Sequence, residues 1–158
     1  MTASEARAKL DELLKAFGTA TGAAGLATEE SGVCILVFDK RTWINLLADT
    51  ATDHLVVWST LGALPAQGAE TTLRALMRAN LFWNGTRGAT LGLMPESDNV
   101  VLAIRRPMDE TDVEVLRDLI ELMVEQAEAF TAMLAGEASP VQGSIERASI
   151  DLASAIRG

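Results

Sequence analysis

Few residues in this chain of 158 could do chemistry. Histidine, a common general base and metal ligand, occurs once, as His54, at the start of a predicted strand. Cysteine also occurs once, as Cys34, inside an apolar run that is typical of a buried, unreactive thiol. These two residues supply neither the ligands of a common zinc site nor a catalytic triad.

Carboxylates are the remaining candidates for acid–base chemistry. At helical spacing two of them could share a proton or a metal ion, but they lie opposite the apolar stripe of a predicted helix, which favours a solvated face. The four are Asp118, Glu121, Glu125 and Glu128. The loop Gly85-Thr86-Arg87-Gly88 precedes a predicted strand and not a helix, so the usual phosphate-binding geometry is not expected there. We predict no catalytic, metal or cofactor site, and therefore no enzyme.

The composition predicts one folded, acidic domain. Apolar residues make up 49% of the chain, and 22 acidic against 13 basic side chains give a net charge of -9. Such a charge repels phosphate backbones, which argues against nucleic acid as a partner. No apolar run is long enough for a membrane span, and the N-terminus lacks the pattern of a signal peptide. With a single cysteine, these features favour the cytoplasm.

The apolar periodicity predicts the element order α-βββ-α-ββ-α, which is an α+β fold with an antiparallel, twisted five-stranded sheet and three helices. The first helix is predicted from about Ser4 to Phe17, with Gly18 as its C-cap. Thr2 and Glu5 have the spacing of a capping box, and Ser4 is a competing N-cap. The predicted strands cover 33–38, 42–48, 54–59, 89–94 and 100–105. The other helices are predicted at 68–82 and at 109–134, the latter with Asp109 as N-cap.

The domain is predicted to cover residues 1–135, followed by a flexible tail at 136–158. Within that tail, Ser144 to Arg157 could form a short amphipathic helix. Its apolar residues are Ile145, Ile150, Leu152 and Ile156. A helix of this length is marginal unless it docks on another surface.

The three tryptophans leave two interpretations open. Trp43, Trp58 and Trp83 could all belong to the core. Alternatively, they mark an interface, because the strands of Trp43 and Trp58 are apolar on both faces and one small domain has few layers to cover them. Since Trp83 directly follows an amphipathic helix, the second interpretation predicts a dimer.

Five segments together resemble one known family. They are Leu13–Gly18 (LLKAFG), Val33–Phe38 (VCILVF), Trp58–Pro65 (WSTLGALP), Leu73–Phe82 (LRALMRANLF) and Gly88–Leu93 (GATLGL). In this order, over about Leu10 to Leu134, the chain resembles the class I type III secretion chaperones, the Tir chaperone or CesT-like family.

The resemblance implies a bacterial, cytoplasmic homodimer without enzymatic activity. Family members bind the N-terminal chaperone-binding segment of a secreted effector in extended form, which keeps the effector soluble and competent for export. A secretion ATPase is a further partner that the resemblance allows. A non-enzymatic regulator or sensor-type module of the same fold, binding a folded protein or a small ligand, remains the alternative.

The resemblance also implies two sets of site residues. The dimer interface is expected at Leu73, Leu76, Met77, Leu81, Phe82 and Trp83. The effector is expected at Leu10, Leu14, Phe17, Val33, Ile35 and Val37, although the pattern does not indicate which sheet face is outward.

Overall fold

The computed structural model describes residues 1–137, so the predicted tail helix lies outside the described residues. The element order α-βββ-α-ββ-α is confirmed, with a short 3₁₀ turn after the second helix. The helices are α1 (Ala3–Thr21), α2 (Ala69–Asn80) and α3 (Val113–Leu134), and the 3₁₀ turn is Leu81–Trp83. The strands are β1 (Val33–Phe38), β2 (Thr42–Asp49), β3 (His54–Ala63), β4 (Thr90–Leu93) and β5 (Asn99–Pro107).

The first helix begins as predicted but ends later. Thr2 accepts a hydrogen bond from the Glu5 backbone N–H at 3.3 Å, and Glu5 accepts one from the Thr2 N–H at 2.8 Å, which confirms the capping box. The prediction that Gly18 caps the helix is wrong. Gly18 is helical and buried, and a Cβ there would lie 2.3 Å from the Ala23 carbonyl oxygen. Gly22, at φ 78°, is the left-handed C-cap.

The structure also corrects the predicted start of the third helix and the predicted end of the third strand. The third helix begins at Val113 and not after Asp109, because Asp112 Oδ1 accepts from the Val115 N–H at 2.8 Å and so supplies the N-cap. The predicted end of the third strand at Ser59 is wrong as well, because β3 continues to Ala63. Just beyond it, the Leu64 N–H donates to the Asp98 carbonyl at 2.8 Å, so the longer strand gains backbone partners that its glycine-containing sequence does not reveal.

The five strands form one antiparallel sheet in the order β1-β2-β3-β5-β4, and β1, β2 and β3 form the predicted meander. The chain divides into two compact units. Among the described residues, unit 1 contains Met1–Ser59 and Ile104–Val124, and unit 2 contains Thr60–Ala103 and 125–137. Both β1 and β2 therefore belong to unit 1, whereas α2 and β4 belong to unit 2.

The core of unit 1 lies on one face of β1, β2 and β3. Alternate residues of these strands point into it, as the pairs Cys34 with Leu46 and Leu46 with Val57 show. The other buried apolar side chains of unit 1 come from α1, from the first part of α3 and from the strands. They include Leu10, Leu14, Phe17, Ile44, Leu55, Leu116, Ile120 and Met123.

In unit 2 the edge of β4 is closed by a side chain of α2. The Asn80 amide donates to the Leu91 carbonyl at 2.9 Å, and its oxygen accepts from the Leu91 N–H at 2.8 Å. Asn80 thus replaces a neighbouring strand at this residue. Gly85 lets the following loop approach α2 closely, because a Cβ there would lie 2.8 Å from Ala79 Cα.

Replacing Asn80 by alanine tests this connection. We expect Asn80→Ala to lower the free energy of unfolding by about 1–3 kcal/mol, because it leaves the Leu91 N–H and C=O without their partner. Urea denaturation measures the change. Asn84→Ala is the matched control, since Asn84 is exposed, and should stay within about 0.5 kcal/mol. Equal effects of the two variants would contradict the role of Asn80.

Candidate interaction surfaces

The side chains that could act as acids, bases or metal ligands do not lie together at one described site. Within the described range no three His, Cys, Asp or Glu side chains are close enough to hold a metal ion. Glu125 forms an exposed ion pair with Arg87 at 2.6 Å, and His54 Nδ1 bonds to the Thr52 carbonyl at the β2–β3 turn. The buried Thr86 hydroxyl bonds to the carbonyls of Trp83 and Ala89, which identifies the Gly85–Gly88 loop as a structural turn.

Among residues 1–137, no helix combines the length and the hydropathy that crossing a membrane requires.

The Cys34 thiol is part of the core. Its residue is 2% exposed, and it points inward opposite Leu46. Burial raises the pKa of the Cys34 thiol, and the charges of Asp11 and Glu29 raise it further. A higher pKa means less thiolate at neutral pH, so this thiol is a poor nucleophile.

The outward side of β1, β2 and β3 is an apolar surface, here called the β1–β3 face. Three cross-strand rows build it. They are Val37–Trp43, Ile35–Asn45–Trp58 and Val33–Leu47–Val56. Ile35, Val37 and Trp43 are 38%, 48% and 53% exposed, and the other members are half-buried. A contiguous apolar surface of this kind is typical of a binding site and not of a solvated sheet.

At the centre of this face lies one polar side chain. Asn45 donates through Nδ2 to the Trp58 carbonyl at 3.3 Å, across the β2–β3 pair. Its Oδ1 is an additional acceptor beside Ile35, in the middle of an otherwise apolar row. An extended chain crossing the face would therefore find one fixed hydrogen-bonding position among apolar contacts.

The outer edge of β1 presents backbone groups. The Val33 carbonyl points away from β2, because it accepts from the Glu29 N–H at 2.8 Å. Backbone groups of an antiparallel strand alternate in direction, so those of Ile35 and Val37 point the same way as those of Val33. The edge at Ile35 and Val37 can therefore pair with a further strand.

The residues predicted to bind the effector separate into two groups. Val33, Ile35 and Val37 lie together on the β1–β3 face. Leu10, Leu14 and Phe17 are 0%, 0% and 6% exposed and belong to the core of unit 1. In this conformation they have no surface to offer a partner, so we assign them to stability. Their i, i+4, i+7 spacing is the same for a core-facing and a partner-facing stripe, which explains the sequence prediction.

Asn45, Leu47 and Val56 of this surface were not predicted as site residues, and Trp43 and Trp58 were predicted at an interface in only one of two interpretations. The alternation in strands 2 and 3 contained the signal, because every second residue from Trp43 must share one face. What was absent was knowledge of which face the helices cover.

In unit 2, the outward side of α2 carries the residues predicted for a dimer interface. Met77 is 69% exposed and lies with the half-buried Leu73 in a shallow depression bordered by Glu70, Arg74 and Arg78. An apolar centre with a charged rim is typical of an interface. Leu76 differs, because it is 5% exposed and packs into unit 2. It cannot contact a partner without leaving that core.

The 3₁₀ turn holds two aromatic side chains in solvent. Phe82 and Trp83 are 52% and 56% exposed, and both have left-handed backbone angles, with φ of 52° and 56°. Such angles cost about 1–2 kcal/mol per residue for a side chain with a Cβ. They are maintained because the Trp83 carbonyl accepts from the Gly88 N–H at 3.1 Å, while Trp83 Nε1 donates to Thr90 Oγ1 at 3.4 Å. Strain of this kind is often found at binding sites.

The family model and the related sequences that match this chain point to the same family. The model of the Tir chaperone protein (CesT) family matches residues 12–131. The Tir chaperone of Citrobacter freundii is 27% identical over 116 residues, which cover 73% of each chain. That of Escherichia coli is 25% identical over 116 residues and the same share of each chain.

Solved structures agree on the fold. A chain from the HopA1–SchA chaperone–effector complex superposes with a TM-score of 0.68 at 19% identity, over 80% of this chain and 96% of that one. A chain from the ExsC–ExsE complex gives a TM-score of 0.69 at 20% identity, over 81% and 95%. A Yersinia pestis chain, from the type III secretion chaperone SycH bound to a fragment of YscM2, gives 0.61 at 24% identity, over 75% and 96%.

The position of Cys34 leads to a prediction about its reactivity. We expect the native thiol to react with a soluble thiol reagent at neutral pH at least about ten-fold more slowly than the same thiol in urea-unfolded protein, because it is buried and its raised pKa disfavours the thiolate. The rate should rise with pH as the thiolate forms. A native rate equal to the unfolded rate would show that the thiol is accessible.

Proposed function

Because the chain belongs to the Tir chaperone (CesT) family, we propose that it is a type III secretion chaperone that binds the N-terminal segment of a secreted effector in extended form. The observation that carries this proposal is the β1–β3 face beside the open edge of β1. An extended client could pair its backbone with Ile35 and Val37 and lay alternate side chains over the face. The effector would thereby stay soluble and competent for export.

An apolar face suits a client that lacks its own fold. Ordering an extended chain costs conformational entropy, so a large apolar contact is needed to compensate for it. Exposed Trp43 and half-buried Trp58 offer large contact areas at a low cost in side-chain entropy, since their strands already hold them. The Asn45 oxygen could fix the register of the client chain.

We also propose that two copies associate through the α2 surface. If two α2 helices pack antiparallel about a twofold axis near Arg74, Leu73 of one copy meets Met77 of the other. The same arrangement brings Glu70 close to Arg78, which has no ion pair among the described residues. Leu81, Phe82 and Trp83 follow directly and would extend the contact, whereas Leu76 would support it from the core.

The family gives the remaining parts of the proposal. It suggests a role in binding without catalysis, and the bacterial cytoplasm as the place where a client must be held before export. A secretion ATPase would be the partner that receives the loaded complex. The acidic net charge of -9 would keep a protein with so much apolar surface in solution.

The binding face can be tested with a client encoded beside this chain. Its N-terminal segment, of about 100 residues, is co-expressed with the chain, and proteolysis of the purified complex should leave about 50–100 client residues protected. Hydrogen exchange should slow at the amides of Ile35 and Val37, because a paired client strand would protect them. Protection only of a folded client domain would favour the regulator alternative.

Single substitutions test the same face. Val37→Asp places a charge on the β1–β3 face and should weaken client binding by at least about ten-fold, in line with the loss of a buried apolar contact. Thr50→Asp is the control, because Thr50 is exposed in the β2–β3 turn of the same unit and away from the face. Titration calorimetry measures both. Equal affinities of the two variants would argue against this face.

The dimer is tested separately. We expect the unaltered chain to have the mass of a dimer by light scattering at micromolar concentration. Met77→Asp should have the mass of a folded monomer, because the new charge would be buried at the centre of the interface between the two α2 helices. Thr71→Asp, at an exposed position near the start of the same helix, should remain a dimer. A Met77→Asp variant that is still a dimer would show that the dimer interface lies elsewhere. Leu76→Asp is unsuitable, since Leu76 lies in the core.

A further inference from the structure

We propose that the outer edge of β1 pairs with the same edge of a second copy, antiparallel and about a twofold axis at Leu36. The paired residues, here called the β1 edge, are Ile35 and Val37 of each copy. They include no residue of the α2 surface. The pairing would cover the edge that a client is proposed to use; this consequence rests on the proposed function, whereas the pairing itself needs only this chain.

The chain itself closes one end of the outer edge of β1. The Val33 N–H donates to Ser31 Oγ at 3.3 Å, and the Val33 carbonyl accepts from the Glu29 N–H at 2.8 Å. The backbone groups of Ile35 and Val37 point the same way as those of Val33, and no described residue bonds to them at this edge. The β1 edge therefore offers two N–H groups and two carbonyls.

These four groups are complementary to those of a second copy. In a hydrogen-bonded antiparallel pair, the two opposed residues exchange both of their backbone bonds. With the axis at Leu36, Ile35 of each copy lies opposite Val37 of the other, so all four groups of each copy gain a partner. A shift of two residues in either direction would leave half of them unpaired, which makes this register the favoured one.

The ends of β1 leave room for this register. The strand ends at Phe38, and Asp39 and Lys40 turn the chain back toward β2 with φ of 50° and 59°. A second copy would therefore leave the edge before it reaches the position beside Val33. That position is the one that Glu29 already occupies.

The pairing also joins the apolar rows of the two β1–β3 faces. Val37 is 48% exposed and lies opposite Trp43, while Ile35 is 38% exposed and lies opposite Asn45. Placing Ile35 of the second copy against Val37 continues the row from Trp43 to Asn45 and Trp58 of that copy. Contacts between β-branched and aromatic side chains on neighbouring strands stabilise a sheet.

The charges beside β1 favour the antiparallel direction. Glu29 and Glu30 precede the strand, whereas Lys40 and Arg41 follow it. All four are exposed, and none of them forms an ion pair with another described residue. Antiparallel pairing brings the basic end of each strand to the acidic end of the other, twice in one assembly. Asp39 reduces the attraction without reversing it, since two basic residues follow it.

The contact is small, so the pairing is weak. Two short strand edges bury far less than the area of about 800 Å² per partner that a stable dimer needs. At micromolar concentration the α2 contact alone would then set the mass of the protein. At higher concentration, two different twofold contacts on each chain would link α2 dimers into open chains. A client that pairs with the β1 edge must displace the second copy, so free chaperone would keep this edge covered where it is abundant.

Disulfide trapping tests the register. One preparation carries Ile35→Cys and the other carries Val37→Cys, while the buried Cys34 remains in both. Opposed residues of a hydrogen-bonded pair have Cα atoms about 5.5 Å apart, which a disulfide can span. The same residue of the two copies would be about 9 Å apart, which a disulfide cannot span.

After mild oxidation of an equimolar mixture, we expect the mixed disulfide to exceed each same-residue disulfide by at least about ten-fold, because the register brings only the mixed pair within reach. Mass spectrometry of the digested protein measures the three products. Mixed and same-residue disulfides in the proportion of random encounters would overturn the proposal, and so would the absence of cross-links.

Charge reversal tests the direction of pairing. Glu30→Lys in both preparations should lower the yield of the mixed disulfide by about two- to five-fold at low salt, in line with an exposed ionic contact. Adding Arg41→Glu should restore the yield, because opposite charges then meet again. Glu96→Lys, which makes the same charge change in the exposed β4–β5 turn, is the control and should leave the yield unchanged. A double reversal that lowers the yield further would contradict antiparallel pairing.

The co-expressed client segment separates this proposal from the proposed function. Its complex should give much less of the mixed disulfide than the free chain, because the client occupies the same backbone groups. If the client stays bound while cross-linking is unchanged, the pairing stands and the client lies on another surface. If the client protects the β1 edge but the free chain gives no mixed disulfide, the proposed function stands and the pairing is wrong.

Discussion

The antiparallel register of β1, β2 and β3 is the constraint on which the other features depend. These strands carry apolar residues on both sides, so the register decides which set is buried. Cys34, Ile44 and Leu46 enter the core, while Ile35 and Val37 remain outside. A slip by one residue would exchange the two sets. Because the exposed set is fixed in rows by the same hydrogen bonds as the core, it is a preformed surface.

The edge strands β4 and β1 differ in how their backbone groups are satisfied. At β4, Asn80 occupies the backbone groups of Leu91 and excludes a further strand at that residue. At β1, Ile35 and Val37 lie beside an apolar face without such a side chain bonded to them in the described structure. Backbone pairing and apolar contact are thus available at one edge, which is consistent with a partner that arrives as an extended chain.

Much of the fold could be predicted because its signals are local. The β1 boundaries follow from one apolar run, and the capping box of Thr2 and Glu5 lies within four residues. The errors have two causes. At Gly18 a local signal was misread, because glycine there leaves room for the Ala23 carbonyl while the helix continues to Gly22. At Ser59 a contact between distant residues decides, because β3 continues to Ala63 beside β5. The sites follow the same rule: Leu10 and Leu14 have the spacing of a binding stripe but are core residues.

By itself, the sequence determined the element order, the family resemblance and the scarcity of catalytic side chains, since each depends on residue types and short spacings. Only the tertiary structure decided which apolar residues are available to a partner. Alternation predicts two faces for each strand, but exposure depends on where the helices pack, and that is set by contacts between residues far apart in the chain. For a protein whose proposed function is binding, this distinction separates Leu14 in the core from Val37 on the surface.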